Sequence, residues 1–161
     1  MYYQAYITLD QSTHLRKKMI NIHVNNLYKD FSFKSLSIKK ISEEVLIDSN
    51  YSKVDLNFIF CDDLKLNALK IEYFNEDILT DVLTFPLRND TVLESEIYIS
   101  VDRAIDNAKD NNVTLQNEIV RLIVHSLLHL LGYNDDTKER KDEMFLKQED
   151  YINQLSNINI L

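Results

Sequence analysis

The chain has 161 residues, the size of one domain. Hydrophobic residues at 45 % and charged residues at 27 % exclude a collagen-like or disordered chain, and no apolar run approaches the ~20 residues needed to span a bilayer. A formal net charge of −8 opposes nonspecific binding to nucleic acid or anionic membranes, so an RNA role requires a local positive site, a metal ion or a partner.

Residues 1–18 fit the rest of the pattern poorly. Tyr2 to Leu9 has strand character, and the segment reads as an extension or as an upstream start chosen in error, with the main domain spanning 19–161. From there alternation marks strands: Ile20, Ile22 and Val24, then Val54, Leu56, Phe58 and Phe60, then Ile97, Ile99 and Val101. Val82 to Phe85 is a shorter strand, expected to stop at Pro86, which has no N–H to donate to a ladder. Helical spacing fills the gaps over Leu36 to Asp48, Leu64 to Phe74, Val101 to Lys109, Leu115 to Leu131 and Asp136 to about Leu155. The order predicts an α+β domain with a small four-stranded sheet and about five helices. One cysteine, Cys61, excludes an internal disulfide, and the N-terminus lacks a basic-then-apolar leader, so cytoplasm is the expected compartment. With one glycine and one proline in the whole chain, asparagine must take most positive-φ positions.

The informative stretch runs from Ile119 to Asp136. Its helix is apolar on nearly every face and should be central and buried, yet Arg121, His125 and His129 recur at i, i+4 and i+8, with Glu118 one turn earlier. Two histidines one turn apart can aim ring nitrogens at one point, the spacing a metal ion needs from a rigid helix. Gly132, the only glycine, falls where a left-handed residue ends a helix, and the chain then doubles back with Asn134, Asp135 and Asp136 within reach. Core histidines bonded to backbone carbonyls satisfy the same spacing; the glycine stop and the carboxylates favour three metal ligands with a fourth position open. A metallopeptidase is excluded, because its general-base glutamate would stand where Ser126 does.

His125-Ser126-Leu127-Leu128-His129-Leu130-Leu131-Gly132-Tyr133 resembles the H-G-x-L-H-L-x-G-Y-D-H signature of the YbeY family of metal-dependent endoribonucleases. Thr80 to Pro86 resembles that family's T-D-V-L-S-F-P motif, and Glu96 to Ser100 its G-D-I-x-I-S strand. The resemblance implies a zinc ion and cleavage of single-stranded RNA in 16S rRNA 3′-end maturation and ribosome quality control. It also implies rRNA and the ribosomal subunit or its proteins as partners, with no role for membrane or DNA. Three positions depart from the pattern. The family's third histidine falls on Asp135, its glycine on Ser126, and an arginine thought to hold phosphate on Phe74. An aspartate ligand would leave a zinc site at net +1 rather than +2.

The expected ligands are therefore His125, His129 and Asp135, with Asn134 and Asp136 as alternatives to the last. The catalytic candidates are Arg121, to meet phosphate in place of the missing arginine, and Asp136, as proton acceptor; an intrahelical pair with Glu118 competes for Arg121. Lys138, Arg140 and Lys141 form a candidate positive rim, and the Thr80 to Pro86 segment a candidate cleft wall with Thr84 and Phe85 near substrate. Two other functions fit the same residues: an assembly factor with a structural metal, and a metal-dependent hydrolase of a non-RNA substrate.

Overall fold

The computed structural model describes residues 18–155 and 157–161, so the Tyr2 to Leu9 strand expectation lies outside the described residues. Nine elements occur in order: β1 (Met19–Asn26), α1 (Ser35–Leu46), β2 (Lys53–Cys61), α2 (Asp63–Phe74), β3 (Val82–Asn89), β4 (Val92–Ser100), α3 (Val101–Asp110), α4 (Leu115–Leu130) and α5 (Lys138–Leu155). The sheet order is β1-β2-β4-β3, with the first three strands parallel and β3 antiparallel along one edge. Among the described residues this is the α+β fold with a four-stranded sheet and five helices that the periodicities predict.

Alternation decides which sheet face is covered. Leu56, Phe58 and Phe60 of β2 and Leu93, Ile97 and Ile99 of β4 are fully buried and share one core with Ile38 and Ile41 of α1 and with α4. Ten of the 16 residues of α4 are buried, which puts this helix inside the domain and leaves the Arg121–His125–His129 stripe half-buried. The opposite face is covered in part by α2, whose Tyr73 and Phe74 rings lie 5.1 and 5.9 Å from Phe85 on β3.

Local chemistry sets the boundaries. Asp62, Ser100 and Thr114 cap α2, α3 and α4 by accepting from the backbone N–H of Lys65, Arg103 and Asn117. Asn75 and Asn112, both at φ 54°, end α2 and α3, so asparagine takes the role usually left to glycine. The Lys18 ammonium donates to the carbonyls of Leu46, Ile47 and Ser49, closing the end of α1. The β3–β4 turn contains no glycine; Asp90 accepts the Val92 N–H at 2.8 Å, and that bond, followed by the one from Arg88, holds its carboxyl below the usual range.

Several expected boundaries shift: α1 ends at Leu46 rather than Asp48, and Val101 opens α3 rather than closing β4. β3 does not stop at Pro86 but runs to Asn89, with Pro86 in register with Ser95 and a bulge before Arg88. On an edge strand a residue without an N–H leaves no ladder bond unmade. Helix α5 begins at Lys138 rather than Asp136, because the Thr137 hydroxyl accepts the Arg140 N–H and so caps the helix there.

Cys61 is 1 % exposed, and burial, followed by the charge of Asp62, pushes its thiol up to about 12. Iodoacetamide at pH 8 should leave the native protein unmodified and label Cys61 fully in denaturant; rapid native labelling, read by mass spectrometry, would contradict this packing.

Candidate metal centre

Helix α4 ends in two backbone bonds that set the path of the chain beyond it. The Gly132 N–H donates to the His129 carbonyl and the Tyr133 N–H to the Leu128 carbonyl, each at 3.0 Å, with Gly132 at φ 94°. This is a Schellman ending, and a side chain at Gly132 would meet no neighbour, so the requirement for glycine comes from φ alone. The turn aims the Tyr133 carbonyl back at α4, where it lies 3.0 Å from His129 Nδ1. It also brings Asp135 over the helix end and lays α5 beside α4.

From α5, Gln148 Oε1 lies 3.1 Å from His125 Nδ1. A carbonyl oxygen only accepts, so the tautomer that fits both contacts is the one protonated at Nδ1, which leaves a lone pair on each Nε2. The two Nε2 atoms face each other at 3.1 Å with their rings at 90°. Two lone pairs at that distance repel unless a cation lies between them. Adjacent ligands of a tetrahedral ion bound at ~2.0–2.1 Å sit roughly 3.3–3.4 Å apart, close to the spacing found. A carboxylate oxygen of Asp135 completes a group whose ligand atoms all lie within 4.8 Å of one another. Burial, and then the neighbouring His129, push the His125 ring below its usual range, which keeps it neutral and able to ligate near pH 7. The donor set of two imidazoles and one carboxylate fits a divalent ion of the zinc type.

A cavity of about 160 Å³ opens beside the group, lined by Arg121, His125 and Asp135 and, from α5, by Lys141, Met144, Phe145 and Gln148. Its far wall is therefore α5. The Thr80 to Pro86 segment, expected as that wall, does not line it: Phe85 packs among Tyr73, Phe74 and Tyr98. Asp81, within the segment, ties it to the ligand helix by accepting from Arg121, and it also accepts from Asn107.

Arg121 is engaged through Nε and Nη2. Its guanidinium donates to both oxygens of Glu118, itself 1 % exposed, and at 3.3 Å to Asp81. The Glu118 bonds foremost raise its pKa and keep it charged. Of the two roles open to Arg121 from the sequence, the structure adopts the intrahelical pair. Asp136 likewise lies outside the ligand group: both its oxygens accept from Arg140 at 3.1 Å, on the exposed first turn leading into α5.

Gln148 is a site residue that sequence patterning missed. Its signal was a polar residue on the apolar stripe of Met144, Tyr151 and Leu155, only 6 % exposed. Gln148→Leu should keep the fold and weaken zinc binding by roughly 10- to 100-fold, the effect of losing an outer partner of a ligating histidine. Competition with a chromogenic chelator measures this, and unchanged affinity would show that the Gln148 contact does not orient His125.

Comparison with known proteins agrees with this geometry. A family model described as endoribonuclease YbeY matches residues 19–156. A protein of Amoebophilus asiaticus named endoribonuclease YbeY is 39 % identical over 134 residues, covering 79 % of this chain and 91 % of its own length. One of the same name from Karelsulcia muelleri is 34 % identical over 137 residues, covering 83 % and 94 %. A solution structure of a Thermotoga maritima protein superposes with a TM-score of 0.59 at 28 % identity, covering 85 % of this chain and 89 % of that one. A match through β1 to the end of α5, with the paired histidines and the glycine turn inside it, leaves one conclusion: the chain belongs to the endoribonuclease YbeY family.

Proposed function

We propose that the chain is a zinc-dependent endoribonuclease that cuts single-stranded RNA, acting in the cytoplasm in 16S rRNA 3′-end maturation and ribosome quality control. Its proposed partners are rRNA and the ribosomal subunit or its proteins. The observation that supports this reading most directly is the convergence of the two Nε2 atoms and the Asp135 carboxylate on one point beside an open cavity. No helix among the described residues is long and apolar enough to cross a membrane.

In this reading His125 and His129 hold the ion through Nε2 and Asp135 through its carboxylate. A divalent ion so held supplies positive charge that polarises a phosphate oxygen and acidifies water. Gln148 and the Tyr133 carbonyl keep both rings in the ligating tautomer. Arg121 acts as a positioning residue, tying Asp81 at the start of β3 to the ligand helix. Asp136 is the proposed proton acceptor; its exposed pair with Arg140 is worth only ~0–1 kcal/mol, so releasing the carboxylate costs little.

The assembly-factor reading needs a closed structural site, which has four protein ligands, whereas the group among the described residues has three. The test is incubation of the zinc-loaded protein with single-stranded RNA containing the 16S 3′ end. Cleavage lost on chelation and restored by zinc is expected. Hydrolysis of small phosphoesters without RNA cleavage would favour the non-RNA hydrolase, and stoichiometric zinc with no hydrolysis at all would favour the assembly factor.

A further inference from the structure

Two cationic side chains line the cavity at the ligand group, Arg121 and Lys141, and their situations differ. Arg121 is enclosed by Glu118 and Asp81, so its charge is more than balanced by two carboxylates. Lys141 is exposed and has no carboxylate partner among the described residues, whereas Arg140, beside it, is engaged with Asp136. One turn further along α5, at i+4 from Lys141, Phe145 lines the same cavity and is 56 % exposed. It takes part in none of the ring contacts among the described Phe and Tyr residues.

An unpaired ammonium and an exposed aromatic ring one helical turn apart, both facing a metal-ligand group, match the repeating chemistry of single-stranded nucleic acid. Each nucleotide offers one phosphate charge and one flat base, and proteins hold such strands by pairing cations with the backbone and stacking bases on aromatic rings. The net charge of −8 makes the local cation more important, since the strand is repelled everywhere except where such a cation meets it. We propose that Lys141 and Phe145 form a nucleotide subsite on α5. In it the Lys141 ammonium contacts the backbone phosphate next to the ligand group, and the Phe145 ring stacks on an adjoining base. The subsite rests on the proposed RNA substrate and deepens that reading. It also supplies a phosphate-contacting cation on α5 that, unlike Arg121, is not already paired with a carboxylate.

The test measures binding without chemistry. Full-length, zinc-loaded protein is titrated into a fluorescein-labelled 2′-O-methyl oligouridylate of about ten nucleotides, and anisotropy gives the affinity across a salt series. Lys141→Met should weaken binding and make the slope of log K against log salt shallower by about 0.7, the contribution of one single-strand phosphate contact. Phe145→Ala should weaken binding roughly tenfold with the salt slope unchanged, because stacking releases no counterions. Lys39→Met, on α1 and paired there with Glu43, should bind like wild type. Zinc content and melting temperature are checked for each variant. If wild type binds no oligonucleotide, the RNA reading fails and this inference with it. If wild type binds and either the Lys141 or the Phe145 variant matches it, the subsite is refuted while the RNA reading stands.

Discussion

Replacing His125 or His129 by alanine is expected to abolish stoichiometric zinc binding. Each change removes a ring nitrogen that already points at the shared position, and two remaining ligands rarely retain zinc. The fold should survive, because both rings are only half-buried and the core lies on the other faces of α4. Metal analysis after dialysis, alongside circular dichroism, separates loss of metal from loss of structure. Asp135→Ala should weaken binding less severely, because both imidazoles, the stronger donors for zinc, remain on one rigid helix, and Asp135→His should keep the metal by supplying a third imidazole. Undiminished zinc in either histidine variant would sink the site assignment; wild-type affinity in Asp135→Ala would remove that residue alone from the ligand set.

Arg121→Met should destabilise the protein by about 3–5 kcal/mol, the cost of leaving a buried carboxylate without its counter-ion. Glu118 is 1 % exposed, and both its oxygens accept from Arg121. For a chain of this size that loss lowers the melting temperature by roughly 10 °C. The double change Glu118→Leu with Arg121→Met should recover most of the stability, because a buried ion pair replaced by apolar side chains of similar volume is often neutral or better. Urea denaturation of the three proteins decides the matter. A single variant as stable as wild type would show that Glu118 is not left uncompensated, and that the pair is a surface feature with little energy in it.

How much of the fold was legible beforehand depends on the range of the interactions. The strands were readable because a half-buried strand repeats every two residues, and β2 and β4 bury the set that alternation picked out. The extension of β3 through Pro86 was not, since whether a proline breaks a strand depends on its being at the sheet edge, and strand order is a property of the assembled sheet. Phe85 illustrates the same limit: its motif pointed to a cleft wall, while the fold packs it among Tyr73 and Phe74 of α2 and Tyr98 of β4.

At the metal centre the division is equally physical. Spacing along the chain was enough to mark the i, i+4 histidines and the glycine that alone tolerates φ 94° without strain, because these lie within a turn or two of one helix; it left Asn134, Asp135 and Asp136 equally in reach, and the structure brings the Asp135 carboxylate nearest the two rings. Packing between elements set what those residues do. His125 Nδ1 faces Gln148, 23 residues away on another helix, and Arg121 is tied to Asp81, 40 residues away just before β3. Local periodicity specifies which face a side chain occupies. Only the packing of α5 and the β3 edge against α4 specifies which polar group stands opposite it, because an interhelical contact is selected by the whole core rather than by spacing along the chain.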